Sequence, residues 1–292
     1  MAGPEVHFDR IKQSFWMEYL KEAQSGNMSH THYHEHYEVY YQMSGERTYF
    51  IEDQVYAVKT GDLVLINICD LHRTTAGSSS SYGRILIEFN RDFMADFFQK
   101  AADMPYMACF EKGIHILPLT QRQQTFIEER LFLMLREYEG KETGFDTRLH
   151  LLLADLLICI NRYIENPHLN GAVTKRNLPG QDDMHEKIAQ AARYINESYA
   201  DPLSLQDLAK RFNISYFYFC RMFREVTGFT LTEYVANVRV RKARRLLEET
   251  DLSITLISGQ TGFDNCTSFG RVFRQHLGTS PLKYRKHYKS SI

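Results

Sequence analysis

The feature that most constrains this chain is a near-repeat late in the sequence. Arg221-Met222-Phe223-Arg224 runs to Gly228, and Arg271-Val272-Phe273-Arg274 runs to Gly278 at the same interval. Each copy closes a pair of short helices. In the first, Ser204 caps a helix whose apolar positions, Leu205, Leu208, Ala209 and Phe212, share one face. Asn213 breaks the pattern, Ser215 offers a second cap, and Phe219, Met222, Phe223 and Val226 form a new buried face ended by Gly228. In the second, Ser253 caps a helix carrying Ile254 and Ile257, and Thr261-Gly262-Phe263 makes the turn. Asn265 or Thr267 then leads into Phe269, Val272 and Phe273. Two short amphipathic helices joined by a tight turn lay the second helix in the major groove of DNA. One such unit is a weak signal, but two copies joined by a helix over about Thr230–Glu249 are a strong one.

The segment closely resembles the DNA-binding domain of the AraC/XylS family of bacterial transcription regulators. The matching residues are Leu205, Leu208-Ala209, Arg221-Met222-Phe223, Gly228, Arg239, Ala243-Arg244-Arg245-Leu246-Leu247, Gly262-Phe263, Phe269, Phe273, Gly278, Pro281 and Tyr284-Arg285. The resemblance implies base reading by Phe217, Cys220, Arg221, Cys266, Thr267, Ser268 and Arg271; Tyr216 and Arg224 share the outward face of the first recognition helix. Phe217 and Cys220 cannot make bidentate bonds to bases, which leaves contact with a thymine methyl and makes Arg221 and Arg271 the candidates for direct readout. Ser258-Gly259 departs from the family pattern of Ala followed by a helix former. A glycine there costs roughly 1 kcal/mol of helix stability, or else permits close packing.

Charge is split in the way this reading requires. Residues 184–292 carry 17 Lys+Arg against 10 Asp+Glu, and the rest of the chain 18 against 26. A basic half on an acidic chain suits a polyanion-binding domain joined to a different module. Five scattered cysteines without CxxC spacing fit a reduced cytoplasm better than a disulfide framework. No signal-peptide pattern opens the sequence, and no apolar run approaches a membrane span.

The first half reads differently. Residues 5–24 are weakly helical and are expected to pack as an arm. Short strands follow at Tyr37–Met43, Tyr49–Ile51, Gln54–Val58, Asp62–Ile66 and Arg84–Phe89, with a flexible loop at 76–83, the pattern of a sandwich or small barrel. Within them lie Gly26, His32, His34, Glu38 and Gly45, then Gly61, Asn67, Cys69 and His72, at spacings that resemble the two cupin motifs. The second motif departs, with Asn67 and Cys69 in place of the usual Pro and Gly. On a regular strand His32, His34, Glu38 and Tyr40 point to one face, as His30 and His36 do also. The expected role of His32, His34, Glu38, Tyr40 and His72 is to line a polar effector pocket. His32, His34, Glu38 and His72 are also a donor set for a divalent transition metal, although no cofactor is required by this reading. Tyr33, Tyr37, Tyr40, Tyr41, Tyr49 and Phe50 offer stacking surfaces for a sugar or another small organic effector, or fill the interior; Arg47 and Arg84 read as solvated strand ends rather than anion contacts.

Residues 91–103, 121–139 and 146–165 read as helices. The last is apolar through Leu149, Leu152, Leu153, Leu156, Leu157 and Ile160 over more than one face, and so suits a homodimer contact. The expected fold is an α+β two-domain chain. It has a cupin-like β-barrel with C-terminal helices over 1–165, a linker at 166–183 and an all-α double helix-turn-helix domain over 184–292. Arg239, Arg241, Lys242, Arg244 and Arg245 lie along the connecting helix, near phosphate or solvated, with Glu248 and Glu249 in pairing reach of Arg244 and Arg245. The resemblance implies a non-enzymatic activator that binds double-stranded promoter DNA, a small-molecule effector and RNA polymerase as a homodimer. Two alternatives compete with it: a metal-binding cupin enzyme fused to a DNA-binding domain, and a scaffold with a degenerate DNA module.

Overall fold

The computed structural model describes residues 14–24, 34, 36–68, 70–90, 93, 106–165 and 183–290, which fall into two compact units. The first contains eight strands: β1 Phe15–Gln24, β2 Tyr37–Ser44, β3 Glu46–Ile51, β4 Gln54–Lys59, β5 Asp62–Ile66, β6 His72–Ala76, β7 Ser81–Phe89 and β8 Ile116–Pro118. They form a five-stranded sheet in the order β1-β7-β2-β5-β8 and a three-stranded sheet in the order β4-β3-β6. Among the described residues the sheets do not join, so the expected barrel is an open pair of sheets. Tyr40, Val64, Ile66, Leu86 and Ile116 of the larger sheet pack against Tyr49, Ile51 and Val58 of the smaller one.

Helices α1 (Ala108–Glu111), α2 (Gln121–Gly140) and α3 (Phe145–Glu165) belong to the same unit. Strand β2 is buried on both faces because its odd positions meet these helices. Tyr37 packs on Phe110 of α1 at 4.8 Å between ring centroids, and the Tyr41 hydroxyl donates to Glu128 of α2 at 2.6 Å. The expected apolar surplus of α3 is absorbed inside the unit. Leu149, Leu153, Leu156, Leu157 and Ile160 are all buried, and Leu151 is the large apolar side chain of this helix that stays exposed.

Three expectations fail in this unit. The weakly helical arm is instead, over Phe15–Gln24, the edge strand β1 paired antiparallel with β7, Phe15 opposite Phe89 and Tyr19 opposite Ile85; residues 5–13 lie outside the described residues. Its Lys, Glu and Ala content favours a helix, but Phe15, Met17 and Tyr19 on one side and Trp16 on the other fit a half-covered sheet edge, and tertiary pairing decides. Arg47 and Arg84 are not solvated strand ends. Arg47 is 4% exposed and its guanidinium lies 4.4 Å from the Tyr82 ring centre, while Arg84 pairs with Glu18 at 2.6 Å. Strands β6 and β8 were not expected at all. The helix expected at 91–103 lies outside the described residues apart from Phe93, as does the linker apart from Asp183.

The second unit is entirely helical: α4 Asp183–Glu197, α5 Leu205–Arg211, α6 Tyr216–Thr227, α7 Leu231–Glu249, α8 Ile254–Gln260, α9 Cys266–Leu277 and α10 Pro281–Ser290. Ile188, Ala191, Ala192 and Ile195 bury the face of α4 that their spacing implies. The connecting helix α7 supplies core to both halves. Tyr234 meets Phe223 edge-on at 5.3 Å, while Val240, Ala243 and Leu247 pack with Ile257, Phe269 and Phe273. No helix among the described residues is long and apolar enough to cross a membrane.

Candidate nucleic-acid interface and sensor site

Each recognition helix is built by local rules. Before α5, the Ser204 hydroxyl accepts from the Asp207 N–H at 3.4 Å, satisfying a donor that the helix leaves unpaired. Asn213 turns the chain at φ 52°, in the left-handed region that Asn tolerates best after Gly. Helix α6 buries Phe219, Phe223 and Val226 and stops at Gly228, whose φ of 79° and bond from its N–H to the Arg224 carbonyl end the helix. The second unit repeats the device: Ser253 accepts from Leu256 N–H at 3.2 Å, Gly262 turns at φ 78°, and Asn265 Oδ1 accepts from Ser268 N–H at 2.8 Å. Asn265 is therefore the cap that the sequence left open between it and Thr267. The second turn is one residue longer, since Ser204 and Ser215 are 11 positions apart and Ser253 and Asn265 are 12.

The outward faces carry the expected residues. On α6, Tyr216, Arg221 and Arg224 are exposed, Cys220 is half-buried, and Phe217 is 84% exposed. The Arg221 guanidinium lies 5.0 Å from the centre of the Tyr218 ring, which sequence reasoning did not single out. On α9, Cys266, Thr267 and Arg271 are exposed and Ser268 is half-buried, its N–H already used by the cap. Cys266, Thr267 and Arg271 line one shallow surface hollow with Gly270, Arg274 and Gln275. Arg274 and Gln275 follow Arg271 by three and four positions, so helical spacing would have found them.

On α7, Arg239 and Arg241 depart from the expectation, whereas Arg244 and Arg245 make the pairs that their helical spacing allows. Arg239 donates from Nε to the Tyr199 carbonyl at 2.8 Å and from a terminal nitrogen to the Asp201 carbonyl at 3.0 Å. It ties the loop before α5 to the connecting helix instead of facing phosphate. Next to it, Gly262 passes so close that a Cβ would stand 2.7 Å from the Ala200 carbonyl oxygen. Arg241 donates to Asn196 at 3.1 Å, Arg244 pairs with Glu248 at 3.4 Å and Arg245 with Glu249 at 2.7 Å. Burial lowers the pKa of Lys242, whose ammonium lies 5.5 Å from the Tyr199 ring centre. Gly259 does not serve close packing: a Cβ there meets nothing within 4 Å.

The sensor-side residues gather between the sheets. Glu38 lies on the inner face of β2, His72 comes from β6, and His34 arrives from the segment before β2. The strand begins only at Tyr37, so strand periodicity does not place His34; His32 lies outside the described residues. One donor atom each from His34, Glu38 and His72 lie within 4.8 Å of one another. Glu38 Oε2 is 3.3 Å from His34 Nε2 and 3.6 Å from His72 Nε2. Burial pushes the Glu38 carboxyl up, but hydrogen bonds and charge from the two imidazoles outweigh it and hold the group well below the usual carboxylate range. Burial pushes the His34 imidazole down, and Glu38 and Glu88 together reverse that. Tyr40 packs on Tyr49 at 5.2 Å, and its hydroxyl donates to Gln42 at 2.6 Å. Burial raises the pKa of both phenols, which stay neutral donors. Glu88 was missed, although the alternation of β7 puts it on the same face as Leu86.

Comparison with known proteins gives matches over both units. Residues 16–154 match the model of an AraC-like ligand binding domain, and residues 208–287 match a helix-turn-helix domain. The Msm operon regulatory protein of Streptococcus mutans is 34% identical over 104 residues, spanning 36% of this chain and 37% of its own length. The melibiose operon regulatory protein of Escherichia coli is 24% identical over 270 residues, spanning 89% of this chain and 84% of its own. Among solved structures, the DNA-binding domain of AdpA in complex with a target DNA is 32% identical, covering 36% of this chain and 94% of that one, with a TM-score of 0.35. With a ligand-binding domain and a helix-turn-helix domain matched in that order, the chain belongs to the AraC/XylS family of DNA-binding transcription regulators.

Proposed function

We propose that the chain is an effector-controlled activator. It reads a two-element promoter site with α6 and α9, and a small molecule held between the sheets of the first unit changes its activity. The observation that carries this reading is the pair of recognition helices, each ended by a glycine and each presenting an exposed arginine, Arg221 and Arg271, at the same position of its repeat. Base edges supply the specificity and phosphates the register, so the two arginines discriminate while other basic groups only attract. A sugar is the proposed effector class. The melibiose operon regulator is named for a sugar, and the buried tyrosines and the His34–Glu38–His72 cluster offer the ring faces and polar anchors that sugars need. The protein acts in the cytoplasm as a homodimer that contacts RNA polymerase.

Selection of duplexes from a random pool with the full chain tests the reading, followed by gel-shift measurement on the selected site. Arg271→Ala is expected to weaken specific binding by roughly 1–3 kcal/mol and to leave binding to random DNA nearly unchanged. Failure of the wild-type chain to enrich any sequence over random DNA would sink the proposal. Reporter transcription with and without a panel of sugars then separates activation from repression.

A further inference from the structure

The two recognition helices match in length and differ in bulk. Helices α6 and α9 each have 12 residues and each end at a left-handed glycine, Gly228 and Gly278, so they compare position by position. Their buried faces agree, Phe219 and Phe223 against Phe269 and Phe273. Their arginines agree too, Arg221 and Arg224 against Arg271 and Arg274. In the N-terminal half, the part of a recognition helix that contacts base edges, they differ. Where α6 carries Tyr216, Phe217, Tyr218 and Cys220, α9 carries Cys266, Thr267, Ser268 and Gly270. At all four positions the side chain of α9 is the smaller.

Gly270 is the one that the packing of the chain does not explain. A glycine inside a helix weakens it relative to alanine. The backbone at 270 is ordinary helix, so no turn requires a glycine there. A Cβ would meet nothing within 4 Å, so no neighbour requires it either. Gly270 instead lies in the surface hollow of about 500 Å³ that Cys266, Thr267, Arg271, Arg274 and Gln275 also line. At helical spacing Cys266, Gly270 and Arg274 form one ridge and Thr267, Arg271 and Gln275 the next. Gly270 is thus a notch in the middle of a ridge, and a glycine on an outer face permits close approach of the backbone to a ligand.

Reach and depth are linked. A short side chain touches a base edge only when its helix lies close to the groove floor, whereas a long aromatic one touches it from further out. Helix α9 has the short set and α6 the long one. Arg221 fits this division, since its guanidinium lies 5.0 Å from the Tyr218 ring centre, an aromatic support that α9 lacks with Ser268 in that place. We infer that α9 enters the major groove more deeply than α6 and that Gly270 sets its depth, bringing Cys266 and Thr267 against the base edges. Gly270 is then a specificity-determining residue with no side chain of its own. The inference rests on the reading of DNA by α6 and α9 proposed above.

Selection from a random duplex pool with the full wild-type chain defines the site, and the element whose preference Arg271→Ala relaxes is the one under α9. Gly270→Ala and Gly270→Leu are then compared with Gly259→Ala, a glycine of α8 whose Cβ also meets open space. All three are expected to raise the Tm, since each replaces a helix glycine. Gly270→Ala should weaken binding to the selected site roughly tenfold and Gly270→Leu roughly a hundredfold, within the range that one mismatched base pair spans. Preference should be lost at the α9 element and kept at the α6 element, with binding to random DNA unchanged. Gly259→Ala should bind as the wild type does. Full discrimination by Gly270→Leu would overturn the inference, as would preference lost equally at both elements. A wild-type chain that enriches no sequence would instead remove the DNA reading itself, and this inference with it.

Discussion

At the scale of single residues, Phe217 is the side chain whose position most needs a partner. It is the second residue of α6, where recognition helices approach base edges, and it is almost fully exposed beside Tyr216, whose ring meets it edge-on at 5.3 Å. A phenyl ring has no hydrogen bond to offer a base, so the group it fits in the groove is the thymine methyl. Replacing the contacted thymine with uracil in a selected duplex deletes that methyl alone. Wild-type binding is expected to fall by roughly 1 kcal/mol, the worth of about one buried methyl group. Phe217→Ala should be insensitive to the same replacement in a gel-shift titration. Equal sensitivity of the two proteins would remove Phe217 from the reading surface.

At the scale of elements, α8 carries two residues that work against its own stability. Gly259 sits within the helix, faces open space and has an ordinary helical backbone, so Gly259→Ala is expected to stabilise the second unit by roughly 0.5–1 kcal/mol. Ser258 is 2% exposed, and its hydroxyl is buried without a hydrogen-bond partner. It occupies the place that Ala209 holds in the first repeat, and Ser258→Ala is expected to stabilise by about 1 kcal/mol. Thermal melts of the two variants check both values. The helices of this unit were legible in the sequence because their information is local. Caps at Ser204 and Ser253 and buried positions three and four apart, such as Phe269 and Phe273, are all set within a few residues. Strand β1 was illegible because its identity comes from pairing with β7, whose partners lie between Ser81, opposite Gln24, and Phe89, opposite Phe15. The metal-type cluster was half legible. Spacing flagged His34, Glu38 and His72, but only the fold brings β6 across from β2 and reveals Glu88. The role of Arg239 was hidden for the same reason, since its carbonyl partners lie some forty positions upstream.

At the scale of the whole molecule, the two units have separate cores, one between the sheets around Tyr40 and Tyr49 and one along α7. The basic surplus lies with the second. Residues 183–292 alone are therefore expected to fold and to select the same DNA sequence as the full chain, with no response to any effector. Circular dichroism and selection from a random duplex pool check this; a fragment that is unfolded or selects a different site would contradict it. Within that unit the grip of Arg239 has a consequence for how the protein tolerates change. It holds main-chain oxygens at positions 199 and 201, which every amino acid possesses, so side-chain replacement there leaves its anchors in place. Gly262 has no such latitude, because even a methyl group would strike the Ala200 carbonyl. The joint between the two halves of this helical unit is thus written largely in backbone, and a single glycine is its narrowest tolerance.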